Sequence, residues 1–421
     1  MVSDYRSSRR QANDEARRAS SSILKQVKAR GFEAAAEYTK KFDGAVITKK
    51  NFLVAPAEIA AATSSLSPEE KLAMLEMKRR LEKFSNAQKA ALKDVVQKET
   101  DSATRLVFRP LKRVGVYVPA GRAPLFSSLF MAAVPAKIAG VEETIVCTPP
   151  RRGGEVDRYV LAAAKMCGIT KVYKMGGAQA IAAMAYGLDG LLKPVDLICG
   201  PGNAYVSAAK QEVSSDASVR IDVPAGPSEV LVIADATADP AFVAADMLAQ
   251  LEHGSDSAAL CLATSKEIAD KVAVQLEKQL AALGPENQAR LSLPKWGRIW
   301  VAASLPQALA AANEIAPEHL ELMVKEAAAL VPKVRNAGAV FILTGEAFCD
   351  YGLSGGNHIL PTGASAKAWG GVSLQTFGKW MYVEGMGEKS QRQLAKKAAL
   401  LARIEGMEAH ARAAEARDRD V

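Results

Sequence analysis

The sequence predicts an α/β protein: two Rossmann-like α/β lobes with parallel sheets, plus helical N- and C-terminal arms. Three observations predict it. The chain has 421 residues, more than one ordinary core accommodates. From Val114 onward, short β-branched runs alternate with Ala-rich stretches of helical length, which is the spacing of βαβ units. Hydrophobic residues make up 49% against 24% charged, the balance of a globular chain with substantial cores.

The elements follow in order. Residues 1–31 read as a polar helical arm with clustered arginines (Arg6, Arg9, Arg10, Arg17, Arg18), and residues 67–95 as a Lys/Glu-rich helix. Strands are expected at Val114–Val118, Glu143–Cys147, Lys171–Tyr173, Val195–Cys199, Val219–Val223 and Glu229–Ile233. The helices between them are Ser127–Ala139, Val156–Cys167, Ala178–Tyr186 and Ala204–Val213. A second block has helices Ala241–Leu251 and Lys266–Leu283 and strands Ala258–Ala263, Ile299–Ala302 and Ala339–Leu343. From about Ser373 the chain reads as helical, without strand signals. The expected division is an arm over 1–31, a first lobe from 32–120 and 230–370, a second lobe over 121–229, and a C-terminal arm over 371–421.

Composition excludes several classes. The start, Met-Val-Ser-Asp-Tyr-Arg, has no apolar core of a secretory signal, and no run reaches the roughly 18 apolar residues of a membrane span. Five cysteines, none in a CxxC pair, read as buried free thiols in a reducing compartment. A cytoplasmic enzyme or binding protein is the default. The net charge of +8 is interleaved with acids, and aromatics are only 6%, so neither nucleic acid nor membrane is an expected partner.

Chemistry gathers in a few segments. Met175-Gly-Gly-Ala-Gln179 and Cys199-Gly-Pro-Gly-Asn203 each put glycines before a helix, a natural seat for phosphate, although neither is a GxGxxG fingerprint and ordinary turns fit equally. Tyr117-Val-Pro-Ala-Gly-Arg122 is a third strand-end loop. The proline-stiffened stretch Ile221–Val230 presents Ser228 and Glu229. Gln250 and His253, three apart, share a helix face; the pair alone is more often a capped helix end than a metal site. Glu318 and His319 are adjacent, a pair suited to acid–base work near neutral pH if a turn lets both face one cleft. Asp350 and His358 bracket a Gly-rich loop, and Glu405 and His410 lie on a late helix. All four histidines sit beside a carboxylate, an amide or a glycine loop, a pattern of N and O donors that fits a catalytic metal better than a structural cage.

Together the segments resemble the histidinol dehydrogenase family from about Phe32 to His410. The stretches that carry the resemblance are Ala123-Pro-Leu-Phe-Ser-Ser128, Gly176-Gly-Ala-Gln-Ala-Ile181, Gly200-Pro-Gly-Asn203, Pro224-Ala-Gly-Pro-Ser-Glu-Val230, Gln250-Leu-Glu-His-Gly254, Ala316-Pro-Glu-His319 and Asn357-His-Ile-Leu-Pro-Thr362. The resemblance implies a zinc enzyme that oxidises L-histidinol to L-histidine through the aldehyde, in two NAD-dependent steps. It implies Zn2+ ligands Gln250, His253, Asp350 and His410, and the acid–base pair Glu318 and His319. Substrate contacts would come from Ser228, His358 and Glu405 with the zinc ligands and His319, and NAD contacts from Tyr117, Gln179 and Asn203. It also implies a homodimer in which His410 serves the neighbouring site. The loop after Tyr117 departs from the family's usual Val-Pro-Gly-Gly, Ser255 replaces a common proline, and the stretch 366–371, with Trp369, lacks the usual Phe-Ser-Ser-Gly. A related dehydrogenase of another small alcohol, such as a sulfonated diol, is the alternative these departures keep open.

Overall fold

The computed structural model describes residues 14–120, 123–216, 219–224, 226–342 and 345–418. Arg122 and the first arginines of the N-terminal arm lie outside the described residues. The chain forms two compact units, Met1–Asn86 with Leu111–Phe377, and Ala87–Pro110 with Gly378–Val421. The strands are β1 (Val95–Glu99), β2 (Ser102–Pro110), β3 (Arg113–Tyr117), β4 (Glu143–Thr148), β5 (Val172–Lys174), β6 (Leu197–Cys199), β7 (Arg220–Ile221), β8 (Glu229–Ala234), β9 (Ala258–Ala263), β10 (Gly297–Val301), β11 (His319–Met323), β12 (Ala339–Ile342) and β13 (Gly378–Met386).

The larger unit holds two parallel five-stranded sheets, ordered β5-β4-β3-β6-β7 and β10-β9-β8-β11-β12. Each lobe winds the same way. Its first strand is central, the next two step outward on one side, and the last two on the other. The direction of winding therefore reverses between β3 and β6 in one lobe and between β8 and β11 in the other. Every residue of β8 and β9 is buried, as required of parallel strands covered by helices on both faces. Their apolar runs are what made the two blocks readable.

Helix ends obey local chemistry. Asp157 accepts from Tyr159 N at 2.8 Å to start Arg158–Cys167. Asp239, followed by Pro240, accepts from Ala241 N at 2.8 Å to start Pro240–Leu251. Such caps contribute about 0.5–2 kcal/mol each and set where the helix begins, hence where its far end delivers Gln250.

The expected boundaries change in four places. β3 pairs with β4 and β6, so the strand ending at Tyr117 belongs to the second lobe. The helix Asp14–Arg30 is no free arm, because Ile23, Leu24 and Val27 are buried in one core with Phe32, Tyr117 and Ile181. Residues 87–110 leave the first lobe for the smaller unit. There β1, β2 and β13 form an antiparallel sheet, so the C-terminal segment is not purely helical. β13 carries consecutive apolar residues, Trp380, Met381, Tyr382 and Val383, all exposed in the chain. Without period-2 alternation they give no strand signal. The segment then continues as the helices Glu388–Ile404 and Glu408–Glu415.

Candidate active site

The polar side chains of the larger unit converge at the N-terminal edge of the sheet built on β8. Glu318 precedes β11 and His319 opens it. His319 pairs with Val230 across to β8, and Glu318 Oε2 accepts from the Glu229 backbone N–H at 3.0 Å. The Glu229 carboxylate in turn accepts from Gly363 N at 2.7 Å, tying the return loop to the sheet. Glu318 Oε1 lies 3.8 Å from His319 Nε2. The two side chains share one direction because Glu318 has left the strand geometry that would oppose them.

Gln250 ends its helix fully buried, and its Oε1 sits 2.6 Å from His319 Nδ1. An amide oxygen only accepts, so Nδ1 carries the proton and Nε2 is the basic nitrogen. Burial, with the charges of His358 and His253, pushes the His319 imidazole well below its ordinary pKa. Burial thus favours its neutral form. The His358 ring packs on it with centroids 4.4 Å apart, and Phe341 covers it at 5.5 Å.

Asp350, at the end of the short helix Glu346–Asp350, contacts His358 Nε2 and lies 3.6 Å from His253 Nε2. Burial raises its pKa, but the hydrogen bonds from His253 and His358 outweigh burial and hold the carboxyl well below its usual range. Ligand atoms of His319, Asp350 and His358 lie within 4.8 Å of one another. The residues present fit zinc: the donors are imidazole nitrogens and a buried carboxylate oxygen, the set zinc prefers. Beside them the buried Gln250 Nε2 lacks a hydrogen-bond partner among the described residues. Of the expected ligands, Asp350 belongs to this cluster, His253 reaches it through Asp350 at 3.6 Å, and Gln250 reaches it through His319. His410 and Glu405 lie in the smaller unit, and both are exposed. Ser228 stands half-buried just before β8, its carbonyl accepting from Ala258 N at 3.0 Å.

The second group of expected residues lies at the C-terminal edge of the other sheet, where the winding reverses. Ligands of open α/β sheets bind at such a crevice. Tyr117 ends β3, and its hydroxyl accepts from Gly177 N at 3.1 Å. Gly200 follows β6 at φ +123, and a Cβ there would stand 2.1 Å from the Tyr117 carbonyl oxygen, so only glycine lets the two loops approach. Asn203 caps the next helix, accepting from Tyr205 N and Val206 N at 3.1 Å each. Gln179 is fully buried, and neither of its amide atoms has a partner among the described residues.

Three contributors were not assigned a role from sequence. Lys210 is 2% exposed; its Nζ donates to Gly200 O at 2.9 Å and contacts Asp222 Oδ1. Asp222 Oδ2 accepts from Gly200 N at 2.7 Å. A buried ion pair thus grips the Gly200 turn from both sides. Thr362, in the return loop, meets Gly226 N through its hydroxyl. A lone Lys or Asp in sequence reads as solvated surface and a Thr as a turn residue, so the fold is what shows their contacts.

Two parallel lobes, one offering glycine turns at its strand ends and the other a buried His/carboxylate cluster, define a two-lobed dehydrogenase of the metal-assisted kind. The comparisons give the family. The model of the histidinol dehydrogenase family matches residues 6–418. The histidinol dehydrogenase of Xanthomonas euvesicatoria pv. vesicatoria is 45% identical over 401 residues, covering 94% of this chain and 91% of the relative. The crystal structure of histidinol dehydrogenase from Elizabethkingia anophelis superposes with a TM-score of 0.88 at 37% identity, covering 95% of this chain and 91% of that one. A putative aldehyde dehydrogenase from Burkholderia cenocepacia shares the fold alone, at a TM-score of 0.50 and 15% identity, covering 80% of this chain and 92% of that one. The chain belongs to the histidinol dehydrogenase family, NAD-dependent oxidoreductases that use zinc and take histidinol to histidine through histidinal. Among the described residues no helix is long and apolar enough to cross a membrane.

Proposed function

We propose that this chain oxidises L-histidinol to L-histidine with Glu318 and His319 as its acid–base pair. The observation that carries the reading is their arrangement: a neutral, buried imidazole whose Nδ1 is fixed by Gln250 and whose Nε2 lies 3.8 Å from a carboxylate. The comparisons favour histidinol over another small alcohol.

Zinc would be held by Gln250, His253 and Asp350, with His410 of the partner subunit as the fourth ligand, and it supplies a Lewis acid that fixes and polarises the substrate's polar groups. Ser228, His358 and the partner subunit's Glu405 would hold the rest of the substrate. NAD+ would be held by Tyr117, Gln179 and Asn203 and would supply the hydride acceptor for each oxidation. His319 Nε2 takes the hydroxyl proton as the first hydride leaves, giving the aldehyde. Glu318 then takes a proton from water as the water oxygen attacks that carbonyl, and protonated His319 returns its proton to the carbonyl oxygen, giving the hydrate and a neutral His319. His319 receives the hydrate's hydroxyl proton as the second hydride leaves, and the acid so formed releases its remaining proton to solvent as the carboxylate. Holding the aldehyde between steps keeps a reactive intermediate from solvent.

A second ligand set has its own support, because ligand atoms of His319, Asp350 and His358 all lie within 4.8 Å of one another. The hydrogen bond to Gln250 and the facing Glu318 favour His319 as base instead. The reading of a homodimer rests on exposed apolar side chains of the smaller unit: Trp380, Met381 and Tyr382 on β13, and Leu400, Leu401 and Ile404 on the helix Glu388–Ile404. Such surface is rarely left to water in a monomer. The cell compartment that suits five buried free thiols is the cytoplasm.

The test follows NADH absorbance with L-histidinol and zinc-loaded protein. Two NADH per histidinol, abolished by chelation, are expected. No turnover by correctly loaded protein would overturn the reading.

A further inference from the structure

The Met175-Gly-Gly turn reads in sequence as a phosphate seat. In the fold, that seat already holds an anion belonging to the chain. Asp43 ends the helix Phe32–Asp43, and its carboxylate accepts the backbone N–H of Gly176. The approach is close: a Cβ on Gly176 would stand 3.3 Å from Asp43 Oδ1 and 2.6 Å from Pro149 Cβ. A phosphate brought to the same helix N-terminus would meet a fixed negative charge at contact distance.

The surroundings call for a different ligand. Asp43 Oδ2 is buried without a hydrogen-bond partner among the described residues, as are both amide atoms of Gln179 and the Thr148 hydroxyl. Gln179 is 0% exposed and folds back over the turn, its Oε1 2.8 Å from where a Gly177 Cβ would stand. Burial lifts the Asp43 carboxyl to about 6, against the lowering hydrogen bond from Gly176. It is charged at neutral pH and accepts hydrogen bonds only. A carboxylate with one oxygen left without a partner and a buried amide with none, among the described residues, match adjacent hydroxyl groups and reject phosphate.

The position along the sheet selects which hydroxyls. Asp43 and Gly176 lie at the β4–β5 side, and the catalytic pair is reached from β7 at the opposite side, through the connection to β8. A dinucleotide crossing this edge with its nicotinamide at His319 puts its adenosine half beside Asp43. We propose that Asp43 is a specificity-determining residue that receives the adenosine-ribose hydroxyls of NAD+ and excludes the 2′-phosphate of NADP+.

This rests on the assignment of NAD to the lobe of Tyr117, Gln179 and Asn203, and the experiment separates the two. Titration calorimetry on the zinc-loaded protein measures NAD+, NADP+ and 2′-deoxy-NAD+ binding for the native chain and Asp43→Asn, which keeps an oxygen for Gly176. Hydrogen bonds to a charged group are worth about 10–100-fold. The native chain is expected to bind NAD+ at least tenfold tighter than either analogue. Asp43→Asn should lose about tenfold for NAD+, lose little for 2′-deoxy-NAD+, and narrow the gap to NADP+. Zinc content and histidinol affinity, measured on the same samples, report that the fold is kept. Equal losses for NAD+ and 2′-deoxy-NAD+, or an unchanged NAD+/NADP+ ratio, would overturn the role of Asp43. If Tyr117→Phe, Gln179→Ala and Asn203→Ala weaken NAD+ while Asp43→Asn does not, Asp43 alone is excluded. If none of the four does, the assignment of NAD to this lobe falls with it.

Discussion

The two lobes wind identically and use opposite ends. The lobe built on β3 presents the C-terminal ends of its strands, and its polar groups gather at the Gly176 and Gly200 turns, whose backbone groups are held by Asp43, Lys210 and Asp222. The lobe built on β8 presents its N-terminal edge, and its polar groups are side chains: Glu318 and His319 at the start of β11, Gln250 at a helix end, Asp350 and His358 on the return loop. At its own C-terminal ends Asp235 accepts from Thr237 N at 2.8 Å and from Lys325 N at 3.0 Å, which ties the loops after β8 and β11 together. One winding thus serves two tasks. The crevice at the strand ends of an open α/β sheet suits a large cofactor. Side chains on a buried sheet edge suit proton transfer and metal binding, which need titratable groups.

The sharpest way to break this division is at His319. His319→Asn should lower kcat by about 10²–10⁴-fold, the usual worth of a positioned base, while zinc content and NAD+ affinity hold. Glu318→Gln should fall hardest on the second oxidation, so NADH per histidinol drops from two toward one. A comparable loss of NAD+ binding in either variant would mean that the lobes are not separable.

Lys210 tests the other lobe. Removing one partner of a buried ion pair costs about 3–5 kcal/mol, so Lys210→Met should lower the thermal midpoint strongly and raise KM for NAD+, with histidinol affinity unchanged. Lys210→Met with Asp222→Asn should recover part of the midpoint, since no charge is then stranded. The double variant falling by the sum of the singles would show the pair to be uncoupled.

The ligand sets are separated by metal analysis. If zinc sits on Gln250, His253 and Asp350, His253→Asn and Asp350→Asn should lose bound zinc by more than the about 10–100-fold that outer-shell changes cost, and His358→Asn should keep it. Loss in His358→Asn and His319→Asn with retention in His253→Asn would assign the metal to the other three donors.

How much of this the sequence displayed follows from the same contrast. β8 and β9 are continuous apolar runs, and helix starts at Asp239 and Ser265 carry their caps, so both lobes were legible. β11 was not: His319 and Glu321 are buried on one face while Leu320 and Leu322 enter the core on the other. Polar residues inside a buried strand hide its period. The site motifs were visible as residue types, but which atoms meet was not, and Gln250 reads as a helix end until β11 brings His319 to it. Asp43 was the least visible, since Lys-Lys-Phe-Asp-Gly reads as a solvated helix terminus. Its meeting with Gly176 depends on the path of the whole second lobe.

The smallest expected effect bears on that residue and on the charge it carries. The Asp43 carboxyl is raised by burial from 3.8 to about 6 in the fold, so the folded chain holds its proton more tightly than the unfolded one. Its contribution to stability is full below about 3.8 and is lost as pH rises through about 6. Relative to Asp43→Asn, the native chain should therefore lose roughly 1–2 kcal/mol between pH 4 and 7, the shift discounted for partial solvent exposure. The readout is the difference in thermal midpoint between the two proteins at each pH, which cancels every other titrating group. Saturating NAD+ should shrink that difference, because hydroxyls donating to the carboxylate favour its charged form. A difference that stays flat with pH would place the raised titration elsewhere. A slope that NAD+ leaves untouched would mean that the cofactor's hydroxyls do not reach Asp43.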